Sequence, residues 1–200
     1  MSRLVVGLTG GIGAGKSTAS ALLADLGADV VDCDLLGRQV AEPGGRAHDA
    51  VVDRFGADVV AVDGSLDRAA LASIVFAAPE ALADLNAITH PAIDAEIATR
   101  IAGAADDVVV VLDMAILVET DLGRGQYDHV LVIEASEATR LERLASQRGM
   151  AATDARARMA NQATDAQRRA VADAVITNDG DIDDLAAAIE DWWRRHVTAS

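Results

Sequence analysis

The chain has 200 residues, 51% hydrophobic but only 2% aromatic, so Ala, Val, Leu and Ile must build its core, and its length favours one domain with room for an inserted subdomain. A net charge of −15 argues against a general nucleic-acid or acidic-membrane binder, and Cys33, standing alone, makes neither an intrachain disulfide nor a cysteine zinc cluster. No window approaches a membrane span and the apolar run after Met1-Ser2-Arg3 is too short for a signal-peptide core, so a soluble, cytoplasmic protein with no membrane, nucleic-acid or obligate protein partner is expected.

The first element is the apolar run Leu4 to Leu8, which reads as a strand, and Ser17 to Leu26 reads as a helix. Between them, Gly10, Gly15, Lys16 and Ser17 keep the Gly-x4-Gly-Lys-Ser/Thr spacing of a phosphate-binding P-loop. Lys16 is the sole lysine of the chain; every other basic position is Arg or His. Glycines let backbone amides turn inward around phosphate oxygens, and the helix that follows adds its positive end. Lysine brings a slim, mobile charge where the broad guanidinium fork does not substitute. Gly11, Gly13, Ala14, Gly15, Lys16, Ser17 and Thr18 are therefore expected to hold a nucleotide, with the Ser17 hydroxyl on Mg²⁺ and Lys16 on the moving phosphoryl group.

Asp29–Cys33 reads as the second strand, and strand alternation points Asp32 and Asp34 to one face. In an open α/β sheet the carboxyl ends of strands open onto the ligand crevice. Asp34 is expected to take a proton from an attacking hydroxyl and Asp32 to hold Mg²⁺ through water; the plain alternative is a cap on a helix starting at Leu35. The stretch to Asp107 is too long for one crossover helix. It carries helical patterns at Leu35–Ala41, Arg46–Phe55, Asp67–Phe76, Pro79–Ile88 and Pro91–Ala104, with turns at Pro43-Gly44-Gly45 and Asp63-Gly64. His90, just before Pro91, suits either a helix start or a substrate contact.

Val108–Leu112 is the third strand, and Asp113 at its end suits either the second Mg²⁺-organising acid of an NTPase or a turn cap. His129–Ile133 is the fourth. Ser136 to Ala172 reads as helical, broken near Gly149 and Thr164, and it carries seven arginines at 140, 143, 148, 156, 158, 168 and 169. Such a segment makes a lid over transferred phosphate, with Arg148 the first choice for contact, although any one arginine has acids such as Glu142 and Asp154 to pair with. Ala174–Thr177 is the fifth strand, and Ile182–Val197 an amphipathic closing helix that buries one of Trp192 and Trp193. The α/β alternation predicts a P-loop NTPase-type, doubly wound, parallel five-stranded sheet. Residues 1–200 are expected to form a single P-loop domain: core about 1–34, 107–135 and 173–200, helical substrate-side insertion about 35–106, helical lid about 136–172.

Across essentially its whole length the chain resembles the dephospho-coenzyme A kinase family. The likeness lies in "GLTGGIGAGKST", in "VVDCDLLGRQV" with Arg38 four residues after Asp34, in "DGSLDRAALASIVF" and "LNAITHP", and in "QRGM", "ANQAT" and "AVADAVITNDG". Where the family shows Asp-x-Pro-Leu-Leu after the third strand, this chain reads Asp113-Met114-Ala115-Ile116-Leu117, while Glu119 still matches. The resemblance implies Asp34 as base, Lys16 as phosphate ligand and Arg148 as lid contact. It further implies Arg38, His90 and Glu119 on the substrate side, and Asn178 and Gly180 in a turn near adenine. The extra C-terminal domain that some members carry is expected to be absent.

The reading that follows is an ATP- and Mg²⁺-dependent kinase for the ribose 3′-hydroxyl of dephospho-coenzyme A, giving coenzyme A and ADP. A P-loop kinase for another small alcohol or nucleotide is the alternative, and a coenzyme-A-binding regulator without catalysis a third. A GTP switch is excluded, because its Asn-Lys-x-Asp guanine reader needs a second lysine.

Overall fold

The computed structural model describes residues 3–197; Met1, Ser2 and 198–200, including the chain end at Ser200, lie outside the described residues. The elements run β1 (Val5–Gly10), α1 (Lys16–Asp25), β2 (Asp29–Asp32), α2 (Cys33–Gln39), α3 (His48–Phe55), a 3-10 turn (Ala57–Val59), α4 (Arg68–Ala77) and α5 (Pro79–Gly103). They continue with β3 (Val110–Asp113), β4 (His129–Glu134), α6 (Glu137–Arg148), α7 (Ala152–Ala160), α8 (Asp165–Val171), β5 (Ala174–Thr177) and α9 (Ile182–His196). Two compact units divide the chain: residues up to Asp32 with those from Gly103 onward, and Cys33–Ala102.

The first unit holds a five-stranded sheet in the order β2-β3-β1-β4-β5, parallel at every pairing. All six residues of β1 are buried, as the near-continuous apolar run of a strand covered on both faces requires. Alternate side chains Val6, Leu8, Val111, Leu131 and Ile133 form one core layer with Ala19 and Leu23 of α1 and Leu185, Ile189 and Trp192 of α9. Trp192 is the buried ring of the tryptophan pair. On the opposite face, a Cβ at Gly7 would meet Leu117 and Tyr127, so that side is covered too. The doubly wound α/β expectation is met.

Pairing runs β1 two residues past Leu8, because Thr9 and Gly10 continue the register with Val132 and Ile133 of β4. The phosphate loop thus hangs from the last hydrogen-bonded position of the central strand. β2, by contrast, stops at Asp32. Cys33 and Asp34 already belong to α2, and Cys33 and Leu36 are buried there as helix neighbours. Strand alternation therefore does not relate Asp32 to Asp34, and Asp34 stands inside the first helical turn, not ahead of it as a cap.

In the second unit, the two helices expected on either side of His90 are one 25-residue helix, α5, with Pro91 inside it. Pro91 has no N–H for the Ala87 carbonyl, so the sequence rule read a start at that point. The buried Ala92, Ile93 and Ile97 carry the helix through the lost bond. His90 is thus a mid-helix residue. Asp67 caps α4 by accepting from the Ala69 and Ala70 amides, both at 3.0 Å. The expected turn at Asp63-Gly64 forms, with Gly64 at φ 86° and the Ser65 amide donating to Asp63. His48 lies between two oxygens, its Nδ1 3.0 Å from Asp49 Oδ1 and its Nε2 3.0 Å from the Gly64 carbonyl.

Candidate active site

The loop Gly11–Gly15 leaves β1 and enters α1 through Gly15, whose φ of 99° favours glycine. The Ala14 amide closes the loop's own turn on the Gly11 carbonyl at 3.0 Å. Among the described residues, the amides of Gly13, Gly15 and Lys16 donate to no protein acceptor. They stand at the positive end of α1, the arrangement that receives phosphate oxygens. Lys16 is clasped by the Asp113 carboxylate, with side chains 15% and 12% exposed. Asp32 and Asp113 are register partners on adjacent parallel strands, so two carboxylates end side by side at the edge where the loop begins. Ser17 is exposed in the first turn of α1.

The loop is braced from outside. Asn178, buried after β5, donates from Nδ2 to the Ala14 carbonyl at 2.8 Å, and its own amide donates to Glu134 at 2.7 Å. Arg143 locks that turn, donating to the carbonyls of Asn178 at 2.8 Å and Gly180 at 3.0 Å. Asp179 accepts from the Ser136 amide at 2.7 Å. That bond and one from the Thr139 hydroxyl hold its carboxyl below the usual range. Asn178 and Gly180 therefore stand against the phosphate loop through Ala14 and Arg143.

Two further arginines press on the loop. A Cβ on Gly11 would run into the end of the Arg140 guanidinium and touch that of Arg168, so a larger residue there would require the Arg140 side chain to move. Arg168 is 1% exposed and Arg140 9%. They share one weak carboxylate contact, Asp165 Oδ1, at 3.4 Å from each, and the Nε of both is buried without a hydrogen-bond partner. Arg168 also donates to the Ala163 carbonyl at 2.6 Å and approaches Glu119 at 3.5 Å. Glu119 in turn accepts from the Ala163 amide at 2.7 Å. The two guanidiniums, largely out of water, meet the carboxylates of Asp165 and Glu119 only at 3.4–3.5 Å, a geometry that leaves donor capacity for a further acceptor. A cavity of about 380 Å³ adjoins them. Within it Gln162 Oε1 accepts from the Ile12 amide at 2.8 Å.

The first unit thus brings together the loop residues, Asp32, Asp113, Glu119 and Asn178. Arg148 stands apart, exposed in the last turn of α6, with no hydrogen bond or ion pair among the described residues and about 12 Å along the helix from Arg140. Asp34 and Arg38 are exposed on α2 and His90 is half-buried in α5, all in the second unit. Reading the sequence missed Gln162 and the burial of Arg140 and Arg168. The available signal was the capping box of α8, Thr164 with Gln167, which fixes the turn carrying Gln162 and faces Arg168 inward.

A hard cation has matching donors in the hydroxyl of Ser17 and the carboxylates of Asp32 and Asp113. Among the described residues no group of three or more His, Cys, Asp or Glu side chains forms a metal cage. That set suits Mg²⁺, which takes one or two protein oxygens and completes its shell with phosphates and water. No helix of the described residues is long and apolar enough to cross a membrane.

A family model described as dephospho-CoA kinase matches residues 4–184. A Streptomyces avermitilis protein named dephospho-CoA kinase is 50% identical over 190 residues, 95% of this chain and 92% of that protein. Among solved structures, a Thermus thermophilus protein is 29% identical with a TM-score of 0.80, covering 98% of this chain and 99% of its own. A dephospho-CoA kinase from Campylobacter jejuni, at 20% identity and TM-score 0.66 over 98% of each chain, shares the fold.

Proposed function

The chain belongs to the dephospho-CoA kinase family, an enzyme of the last step of coenzyme A biosynthesis, and from that premise we propose how its own residues divide the transfer of a phosphoryl group from ATP to the ribose 3′-hydroxyl of dephospho-CoA. The observation that carries the division of labour is the sole lysine, set at the mouth of a parallel sheet against Asp113, beside loop amides that no acceptor among the described residues uses.

The amides of Gly13, Gly15 and Lys16, with Gly11, Ala14 and Thr18 shaping the loop, hold the ATP phosphates against the positive end of α1. Lys16 exchanges the Asp113 carboxylate for the outer phosphates. Ser17, Asp32 and Asp113 are the residues that would hold Mg²⁺, which would neutralise the charge of the outer phosphates. Asp34 accepts the proton of the 3′-hydroxyl as that oxygen bonds to the γ-phosphorus; the bond to the β-phosphate oxygen breaks, and ADP leaves with the electron pair. Arg140 and Arg168, buried at Gly11, take the charge that develops on the transferring oxygens. Glu119 acts through Arg168. Arg38 and His90 serve the coenzyme-A side, Asn178 and Gly180 the adenine side of the loop they brace, and Arg148 is a lid contact with the incoming substrates. The residues from 1 to 200 work as one kinase domain, in a cytoplasmic setting.

Incubation of dephospho-CoA with ATP, Mg²⁺ and the protein, followed by mass spectrometry, should give one added phosphate and ADP. Other hydroxyl acceptors serve as controls, and equal transfer to an unrelated alcohol overturns the substrate assignment. Lys16→Ala is expected to abolish turnover. Asp34→Asn should lower kcat by at least about 10²-fold, the usual scale of general-base work, while ATP still binds. A near-normal rate removes Asp34 as the base.

A further inference from the structure

Gln162 follows the C-terminal end of α7, and its amide donates to the Met159 carbonyl at 3.1 Å. The next residue is pinned from two sides, the Ala163 amide by Glu119 at 2.7 Å and its carbonyl by Arg168 at 2.6 Å. The backbone of this turn is therefore held, and the freedom that remains is the rotation of the Gln162 side chain. That side chain reaches across 150 residues of sequence to the Ile12 amide.

The chemistry at that bond is mismatched. Loop amides of this kind are donors for phosphate oxygens. Those of Gly13, Gly15 and Lys16 face no protein acceptor among the described residues, yet the Ile12 amide is taken by a neutral carboxamide oxygen. Around it stand the buried guanidiniums of Arg140 and Arg168, each with an unpartnered Nε and with Asp165 and Glu119 no nearer than 3.4 Å, while Arg156 on the cavity wall is already paired with Glu137 at 2.8 Å. A neutral acceptor adds no charge to the long carboxylate contacts of Arg140 and Arg168. A phosphoryl oxygen would, and hydrogen bonds to an ionised acceptor are about twice as strong as neutral ones.

Position along the loop says which phosphate competes. The amides next to α1 meet the inner phosphates, and Lys16 reaches outward. Ile12 lies upstream of them, on the side where Arg140 and Arg168 meet Gly11. We propose that the Gln162 carboxamide holds the place of a terminal phosphoryl oxygen at the Ile12 amide, so that a nucleoside triphosphate must displace it and a diphosphate need not. Gln162 is then a specificity-determining residue for the nucleotide's phosphate count. Once the phosphoryl group has moved to the acceptor, the side chain returns to Ile12 and restores the state that holds ADP no better than before. This rests on the phosphate-loop reading above.

The test is calorimetric titration of ATP and ADP, each with Mg²⁺, into the full-length protein and its Gln162→Leu and Gln162→Glu variants. Leucine keeps the bulk and removes the acceptor. It should tighten ATP by about 3- to 10-fold, the range expected when one competing hydrogen bond is removed, and leave ADP unchanged within about twofold. Glutamate places an ionised competitor at the same amide and should weaken ATP more than ADP. The ratio of the two dissociation constants is the readout, because a merely structural loss moves both nucleotides together. Weaker ATP binding in the leucine variant, or parallel shifts of ATP and ADP in either variant, overturns the proposal. Should the leucine variant melt before titration, the glutamate ratio decides alone. A wild-type protein that binds neither nucleotide overturns the phosphate-loop reading itself, a result distinct from a shifted ratio.

Discussion

A histidine whose two ring nitrogens both face oxygen atoms gains a second bond by taking a second proton. The Asp49 carboxylate and then the Gly64 carbonyl raise the affinity of His48 for that proton above its ordinary value of 6.5. A raised value in the folded chain means the contribution is complete below about pH 6.5 and is lost as pH climbs through the folded value. Thermal unfolding of wild type and His48→Gln between about pH 6 and pH 9 should show a gap at the acid end that closes toward the alkaline end. A gap that widens with pH reverses the sign and sinks the assignment. Asn178 makes a different kind of prediction. Asn178→Ala strands the Ala14 carbonyl without its buried donor and should cost about 1–3 kcal/mol in denaturant unfolding, with weaker ATP binding as the loop loses its brace. An alanine variant as stable as wild type removes Asn178 as the support. Lys16, Asp32 and Asp113 could be picked from the sequence because a spacing or a strand end marks them. For Gln162, Arg140 and Arg168 the capping box at Thr164 was the one local signal, since the contacts that set them apart are with Ile12 and Gly11 at the far end of the chain.

Among the elements, α5 departs furthest from its sequence pattern. Pro91 reads as a helix start because the missing N–H is harmless only in a first turn, yet the helix runs through it. Restoring the donor should therefore stabilise: Pro91→Ala is expected to raise unfolding free energy by about 1–3 kcal/mol, read by urea denaturation. A loss of stability instead would mean that the surrounding packing is built on the proline ring. The same local reasoning succeeded where the signal was local. The breaks at Gly149 and Thr164 separate α6, α7 and α8 as expected, with Gly149 at φ 59° closing α6. It failed at Cys33, because the change from alternation to helical spacing falls within two residues, too few for a period to register.

At the level of the whole molecule, five valine-rich runs were enough to predict a parallel sheet but said nothing of its order. Strand order lies in which strands pair edge to edge, a property of pairs of elements and not of any one window. In the folded chain β1 is central, between β3 and β4, so each edge of the strand that carries the phosphate loop is completed by residues roughly a hundred positions downstream. During synthesis at roughly 5–20 residues per second, the nascent chain waits on the order of ten seconds between making that loop and making the last strand able to flank it. Through that interval the most glycine-rich segment hangs from a strand that does not yet have both of the neighbours it pairs with in the finished sheet.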